Sequence, residues 1–249
     1  MILFISDLHL APQATGVTRI FLDFLAGRAR AAEHLFILGD LFDVWPGDEA
    51  LDKSDDPEDA FNVEIADALR ACADAGTELS LLHGNRDFLL GETFAAHCGA
   101  RLRFEPYVLS LPTWQFVLAH GDALCTDDTD YQQFRQQVRD PAWRSAFLAK
   151  PLSERKAIAA AFRQQSEEAK QEKRQYAPSL MDLNPGATED FLRDHGYATF
   201  IHGHTHRPTV HHHIVDGIHV ERWVMADWHE EGGECLCWDG EQLTREVLR

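Results

Sequence analysis

The stretch ILFISDLHL (residues 2–10) decides how the chain is to be read: four apolar residues run straight into Ser6, Asp7 and His9. A short apolar run with no polar face has the length of a buried strand, and this one ends in an acid and an imidazole. The construction recurs four more times. LFIL leads into Gly39-Asp40, LSLL into His83-Gly84-Asn85-Arg86-Asp87, FVLA into His120-Gly121-Asp122, and TFI into His202-Gly203-His204. Five such ends point to a sheet that delivers polar side chains to one edge, where open α/β sheets bind ligands.

Helical patterns separate the first three runs. Val17, Ile20, Phe21, Phe24 and Leu25 repeat at helical spacing, as do Phe61, Ile65, Leu69 and Cys72, with Gly76 placed to end the second helix. The first third therefore reads β-α-β-α-β. After His120 the texture changes: residues 131–176 are rich in Gln, Ala, Lys and Arg, with Pro141 and Pro151 as breaks. Two or three inserted helices are expected there before the chain returns to the sheet near Ala198. Residues 209–248 alternate β-branched and aromatic residues between glycines, the pattern of hairpins.

Composition bounds the function. A chain of 249 residues, 45% apolar, is long enough for one α/β domain over residues 1–249. The N-terminus lacks a basic leader, and no apolar run approaches the length of a membrane span. Five cysteines without a CxxC pair point to reduced thiols and a cytoplasmic setting, with Cys235 and Cys237 read as buried thiols on one strand face. A net charge of −18 argues against nucleic acid as a partner. The acidity is uneven: residues 129–176 hold ten Lys/Arg against six Asp/Glu. Such asymmetry marks an interaction surface.

The strand ends collect Asp7, His9, Asp40, Asn85, His120, His202 and His204. Carboxylate, amide and imidazole together suit Mn²⁺, Fe²⁺ or Zn²⁺. Seven candidates are too many for one ordinary site and suit two metals with a bridging carboxylate. Such a pair activates water and stabilises both oxygens in phosphoryl transfer. Alternation in an extended backbone also offers His206.

The blocks DLH, GDLFD, GNRD, HGD and GHTH, in this order, resemble the signature of the calcineurin-like metallophosphoesterases. The resemblance covers residues 1 to about 208 and implies a four-layer α/β/β/α sandwich. In one respect the sequence departs from the broad superfamily, which carries His where Arg86 stands. GNRDFLLG, HGDALCTDD and IHGHTHRP are similar to the UDP-2,3-diacylglucosamine hydrolases of lipid A biosynthesis. Arginine is a poor proton donor but a planar clamp for phosphate, and a phosphate monoester leaving group needs protonation less than an alkoxide does.

That resemblance implies a set of roles. Asp7, His9, Asp40 and His204 would hold one Mn²⁺; Asp40, Asn85, His120 and His202 would hold a second, with Asp40 bridging. His206 is left as a neighbour, so His206→Ala is expected to keep both metals. A metal-bound water would attack the α-phosphorus of UDP-2,3-diacylglucosamine, releasing UMP and 2,3-diacylglucosamine 1-phosphate, with Asn85 and Arg86 at the reacting pyrophosphate. The insertion, at about 129–182, would be a helical lid. Its Ser166, Lys170 and Lys173 share a helix face and, with Asp128, Asn85, Arg86 and His202, match substrate contacts, although the family carries Asn at Lys170.

Trp143, Phe147, Leu148, Leu152, Ile158 and Phe162 are expected to line an acyl cleft or touch the bilayer, placing the protein reversibly on the cytoplasmic face of the inner membrane. Plainer readings stand beside these. Arg86 could pair with Asp87, Asp128 could cap a helix, and the Ser/Lys face could simply be solvated. His211, His212 and His213 alternate faces and read as surface. The rival functions are a hydrolase of soluble nucleotide diphosphates or phosphodiesters, and a metal-bound scaffold without catalysis.

Overall fold

The computed structural model describes residues 1–52 and 55–249. The first third folds as its periodicity requires. β1 (Ile2–Ile5) is followed by α1 (Thr15–Ala26), whose buried residues are the five of the apolar stripe. β2 (His34–Leu38) leads to α2 (Pro57–Asp74), which starts at the Asp56 cap with Pro57 in the first turn. β3 (Glu78–Leu82) then enters the sheet. Parallel pairing of β1 with β2 and of β2 with β3 buries these strands on both faces, which is why they read as unbroken apolar runs.

The next elements have no strong sequence signal. α3 (Glu92–Cys98), β4 (Ala100–Leu102) and β5 (Tyr107–Ser110) are short and precede β6 (Gln115–Leu118). Three helices follow, α4 (Thr129–Arg139), α5 (Pro141–Leu148) and α6 (Leu152–Tyr176), broken at the two expected prolines. α7 (Pro185–Asp194) leads to β7 (Thr199–His202). Two hairpins close the chain, β8 (Thr209–Val215) with β9 (Ile218–Val224), and β10 (Gly233–Trp238) with β11 (Leu243–Leu248).

The five apolar runs do not share one sheet. β1, β2 and β3 lie in a six-stranded sheet of order β11-β10-β1-β2-β3-β4, whereas β6 and β7 lie in a five-stranded sheet of order β5-β6-β7-β9-β8. An apolar run looks the same whichever sheet it joins, so only pairing separates them. The sheets pack face to face through Phe4, Phe36, Tyr107, Phe116 and Trp238, with Phe4 and Phe116 ring centroids 5.7 Å apart. Strand alternation sorts the outer layers. Phe116 and Leu118 point into the large core with α1 and α2, while Val117 points to a second core with Leu192 of α7. The result is the expected α/β/β/α order, with the ends of β1, β2, β3, β6 and β7 converging.

Among the described residues no helix is long and apolar enough to cross a membrane.

Candidate active site

The convergence has a backbone signature. Asp7, His9, Asp40, His204 and His206 all have positive φ, between 48° and 65°. Non-glycine residues enter this region rarely and are held there only when their surroundings over-determine them. Here the surroundings are neighbouring loops. Asp7 N donates to Gly39 O, His9 N to Asp40 O, and Trp228 N to Asp7 O, at 3.0–3.2 Å. His204 N donates to the Asp7 carboxylate at 3.0 Å. Asp87 does not pair with Arg86; its carboxylate accepts from the backbone N–H groups of Asp40, Leu41 and Gly84. Two glycines permit the approach: a Cβ on Gly84 would collide with Asp40, and one on Gly203 with Asp7 and Ser6.

Six of the seven sequence candidates come together. Asp7, Asp40 and His120 are fully buried, and their ligand atoms form one compact group. His120 Nδ1 donates to Leu38 O at 3.0 Å, so the Nε2 lone pair faces inward. It meets Asn85 Oδ1 at 2.9 Å and Asp40 Oδ2 at 3.6 Å. Asn85 Oδ1 also lies 2.9 Å from His204 Nδ1, and Asp40 Oδ2 3.8 Å from His9 Nε2. Asp40 thus stands between His9 on one side and His120 on the other.

The seventh, His202, is not there, and the expectation for it is corrected. It is the last residue of β7, with Nδ1 against Gly203 O at 2.8 Å and Nε2 accepting from the buried Arg222 guanidinium at 3.0 Å. A nitrogen already facing a cation has no lone pair to offer a metal, and burial together with Arg222 drives the imidazole pKa well down. His206 stands in the cluster in its place. Its Nε2 lies 3.3 Å from Asp7 Oδ1 and 3.4 Å from His9 Nε2, and these three residues form a second compact group. Its Nδ1 faces Asp227 at 3.3 Å, the carboxylate behind imidazole that orients metal-ligating histidines. This placement argues against the expectation that His206→Ala keeps both metals. The GHTH block itself spans Gly203 to His206, so its two histidines are His204 and His206. Alternation pointed elsewhere because it assumed an extended chain beyond His202, where the backbone turns left-handed.

The donor set fits divalent metal. Ligand atoms at ~2.0–2.2 Å from one ion, at angles of 90–109°, stand roughly 2.8–3.6 Å apart, close to the separations found here. Acceptors converge with no fixed cation among them, so without metal the cluster gathers protons. Burial raises Asp40 to about 7. Burial would lower His120, but Asp40, Asp7, Asp122 and Glu105 outweigh it and raise it to about 9. His206 behaves alike, burial being outweighed by Asp227 and Asp7, and also reaches about 9. His9 and His204, where burial prevails, fall to about 3.

A cavity of about 560 Å³ opens above this cluster, roofed by the inserted helices. Asn85, Arg86, Asp128, Ser166, Lys170 and Lys173 all line it, and His202 does not. Asp128 also caps α4, accepting from Tyr131 N at 3.2 Å, while its second oxygen receives Lys173 Nζ at 2.5 Å. Phe88, Phe134, Trp143, Phe147 and Phe162 form an apolar wall. Of the expected stripe, Leu148 and Ile158 pack on the core, and Leu152 does not line the cavity. Residues without a sequence signal complete the site. Tyr131 stacks on His204 and donates to Asp122, Arg163 lines the cavity from α6, and Glu167 of α6, outside the lining, accepts from Arg86. His211, His212 and His213 lie outside the cavity, with His212 facing His219 across the hairpin at 3.1 Å.

The profile of the calcineurin-like phosphoesterase family matches residues 1–208. The chain is 52% identical, over 96% of its length and 93% of the relative's, to a UDP-2,3-diacylglucosamine hydrolase of Aromatoleum aromaticum. A protein of the same name from Chromohalobacter salexigens is 44% identical, with 91% of this chain and 88% of the relative covered. One from Stenotrophomonas maltophilia is 42% identical, with 98% and 99% covered.

Proposed function

The chain belongs to the calcineurin-like phosphoesterase family, and from that premise we infer that it is a UDP-2,3-diacylglucosamine hydrolase acting in lipid A biosynthesis. The observation that carries this reading is the two-natured cavity, with a floor of metal-binding donors and cationic groups beside a wall of five aromatic rings. A pyrophosphate with a sugar and acyl chains on one side needs both surfaces in one space.

Two divalent cations, Mn²⁺ by ligand type, are the proposed cofactors. Asp7, His9, Asp40 and His206 would hold one; Asp40, Asn85, His120 and His204 the other, with Asp40 between them. When bound, such a pair activates water and offsets charge on the attacking and leaving oxygens. The protein supplies position. Arg86, whose side chain is 10% exposed, offers a planar fork to the pyrophosphate, while its backbone N–H donates to Asp40 Oδ1 at 2.8 Å. Ser166, Lys170 and Lys173 present a hydroxyl and two ammonium groups to the glucosamine phosphate. Attack of water at the α-phosphorus breaks its bond to the bridging oxygen. UMP and 2,3-diacylglucosamine 1-phosphate leave, and the latter is a phosphate monoester that carries its own charge without an added proton.

The inserted helices act as a lid in this reading, and the protein works on the cytoplasmic face of the inner membrane, held reversibly. The acyl chains of the substrate and the basic balance of residues 129–176 support that placement. The deciding experiment incubates purified protein and Mn²⁺ with UDP-2,3-diacylglucosamine and with its deacylated form. UMP release from the acylated substrate, abolished by chelator, is expected. No release, or equal release from both, overturns the assignment.

A further inference from the structure

Three of the cations at the cavity are paired across the seam between core and insertion. Arg86 of the core donates through Nη2 to Glu167 Oε1 of α6 at 2.5 Å, Lys173 of α6 to Asp128 of the core at 2.5 Å, and Arg163 of α6 to Asp43 of the core. Nearer its start, α6 is held differently. There the buried Arg155 donates to Lys150 O, Pro46 O and Glu49, and Lys156 pairs with Asp56 and Asp59, away from the catalytic cavity. α6 is thus anchored at one end by groups the ligand never meets, and fastened at the other by groups the ligand's phosphates must engage.

The Arg86–Glu167 pair is the one whose exchange matters most. Its arginine sits beside Asp40, one residue from Asn85, and its guanidinium offers a limited fork that a carboxylate and a phosphate oxygen cannot share fully. Glu167 follows Ser166 on α6 and is 41% exposed, so on losing Arg86 it returns to water at little cost. The neighbouring Glu168 accepts along its own helix from Gln164 at 2.9 Å, its one side-chain hydrogen bond among the described residues.

We propose that Glu167 is a latch residue that occupies Arg86 in the unliganded protein and sets the threshold a substrate phosphate must exceed to bind and draw the roof into its working position. Glu167 acts through Arg86 and touches no reacting atom, so it is a positioning residue. The inference rests on the phosphate-binding role assigned to Arg86 above.

The test uses the Mn²⁺-loaded full chain, with two readouts: KM and kcat for UDP-2,3-diacylglucosamine, and calorimetric affinity for inorganic pyrophosphate. Glu167→Gln, isosteric at a half-exposed position, is expected to lower KM and tighten pyrophosphate by about two- to fivefold at low salt, the scale of a part-exposed ion pair. The change should fall on KM rather than on kcat, and shrink as ionic strength rises from about 0.05 to about 0.5 M. Glu168→Gln makes the same change of charge one residue away and is expected to do neither. In an Arg86→Ala background the effect of Glu167→Gln should vanish, as a coupled pair requires. An unchanged or weakened affinity in Glu167→Gln, an equal gain in Glu168→Gln, or a gain that survives Arg86→Ala overturns the latch. If the wild type releases no UMP, the functional assignment fails, and the pyrophosphate titrations still decide the role of Glu167.

Discussion

The floor and the roof of the cavity are held by different physics. The floor is made of strand-end side chains with almost no exposure: Asp7, His120 and Asp40 are at 0–2%. Each is pinned by groups from another loop, and Asp7 and Asp40 also hold a left-handed conformation that nothing but their neighbours would maintain. The roof is a long helix whose contacts to the floor are ion pairs, several half in water. Buried polar clusters break when a partner is removed and respond little to salt, whereas exposed pairs are individually weak and screened. A rigid floor suits the placement of metals to a fraction of an ångström, and a lightly fastened roof suits a bulky substrate that must enter and leave.

The contrast can be broken most severely at the floor. Asp40→Ala removes the carboxylate between the two proposed metals. We expect kcat to fall at least about a thousand-fold, the upper scale for loss of one preorganised electrostatic group, with circular dichroism unchanged. Near-normal turnover would end the dinuclear assignment. Next in size is the choice between histidines. His206→Ala is predicted to lose Mn²⁺ by elemental analysis and more than about tenfold in activity, beyond the lower scale for outer partners of a ligand. His202→Ala should retain its metal, and the opposite order would restore His202 as the ligand.

The roof is probed at its anchor. Arg155→Ala leaves Lys150 O and Pro46 O without their donor. A cost of about 1–3 kcal/mol is expected in urea unfolding, together with faster proteolysis within α6 and undiminished Mn²⁺ content. Loss of metal in this variant would show that floor and roof are not separable. The smallest effect lies in the core beneath the floor. His34 stacks on Phe36 with ring centroids 4.0 Å apart, and burial lowers its pKa to about 4 from the usual 6.5. The fold therefore prefers the neutral ring while the unfolded chain takes up the proton. Its stabilising contribution is complete above about pH 6.5 and is lost as pH falls toward about 4. In His34→Gln the slope of stability across this window should flatten, and an unchanged slope would assign the acid lability elsewhere.

Much of the floor was legible because strand ends are local. An apolar run closed by Asp or His carries its meaning within nine residues, and Asp7, His9, Asp40, Asn85 and His120 were found from it. His206 was missed although it stood in the same stretch, because period-two alternation was carried past the end of β7 into a turn. Asp227 carried no signal at all: it is an acid in a polar loop until folding sets it behind His206. In the roof, the helices and their proline breaks were readable, as was the Ser166, Lys170, Lys173 face. Glu167 and Arg163 were not, since on a helix rich in charge nothing local separates a residue that meets the core from one that faces water.

The sequence by itself determined the long elements, the chemistry of the strand ends and the kinship of the chain, because periodicity, capping and short motifs are properties of neighbours along the backbone. Tertiary structure alone decided that the five runs divide between two sheets, that His206 rather than His202 joins the cluster, and that Glu167 holds Arg86. Each of these depends on contacts between residues tens to nearly two hundred positions apart. Such contacts exist only once burial has paid the entropy of bringing distant segments together.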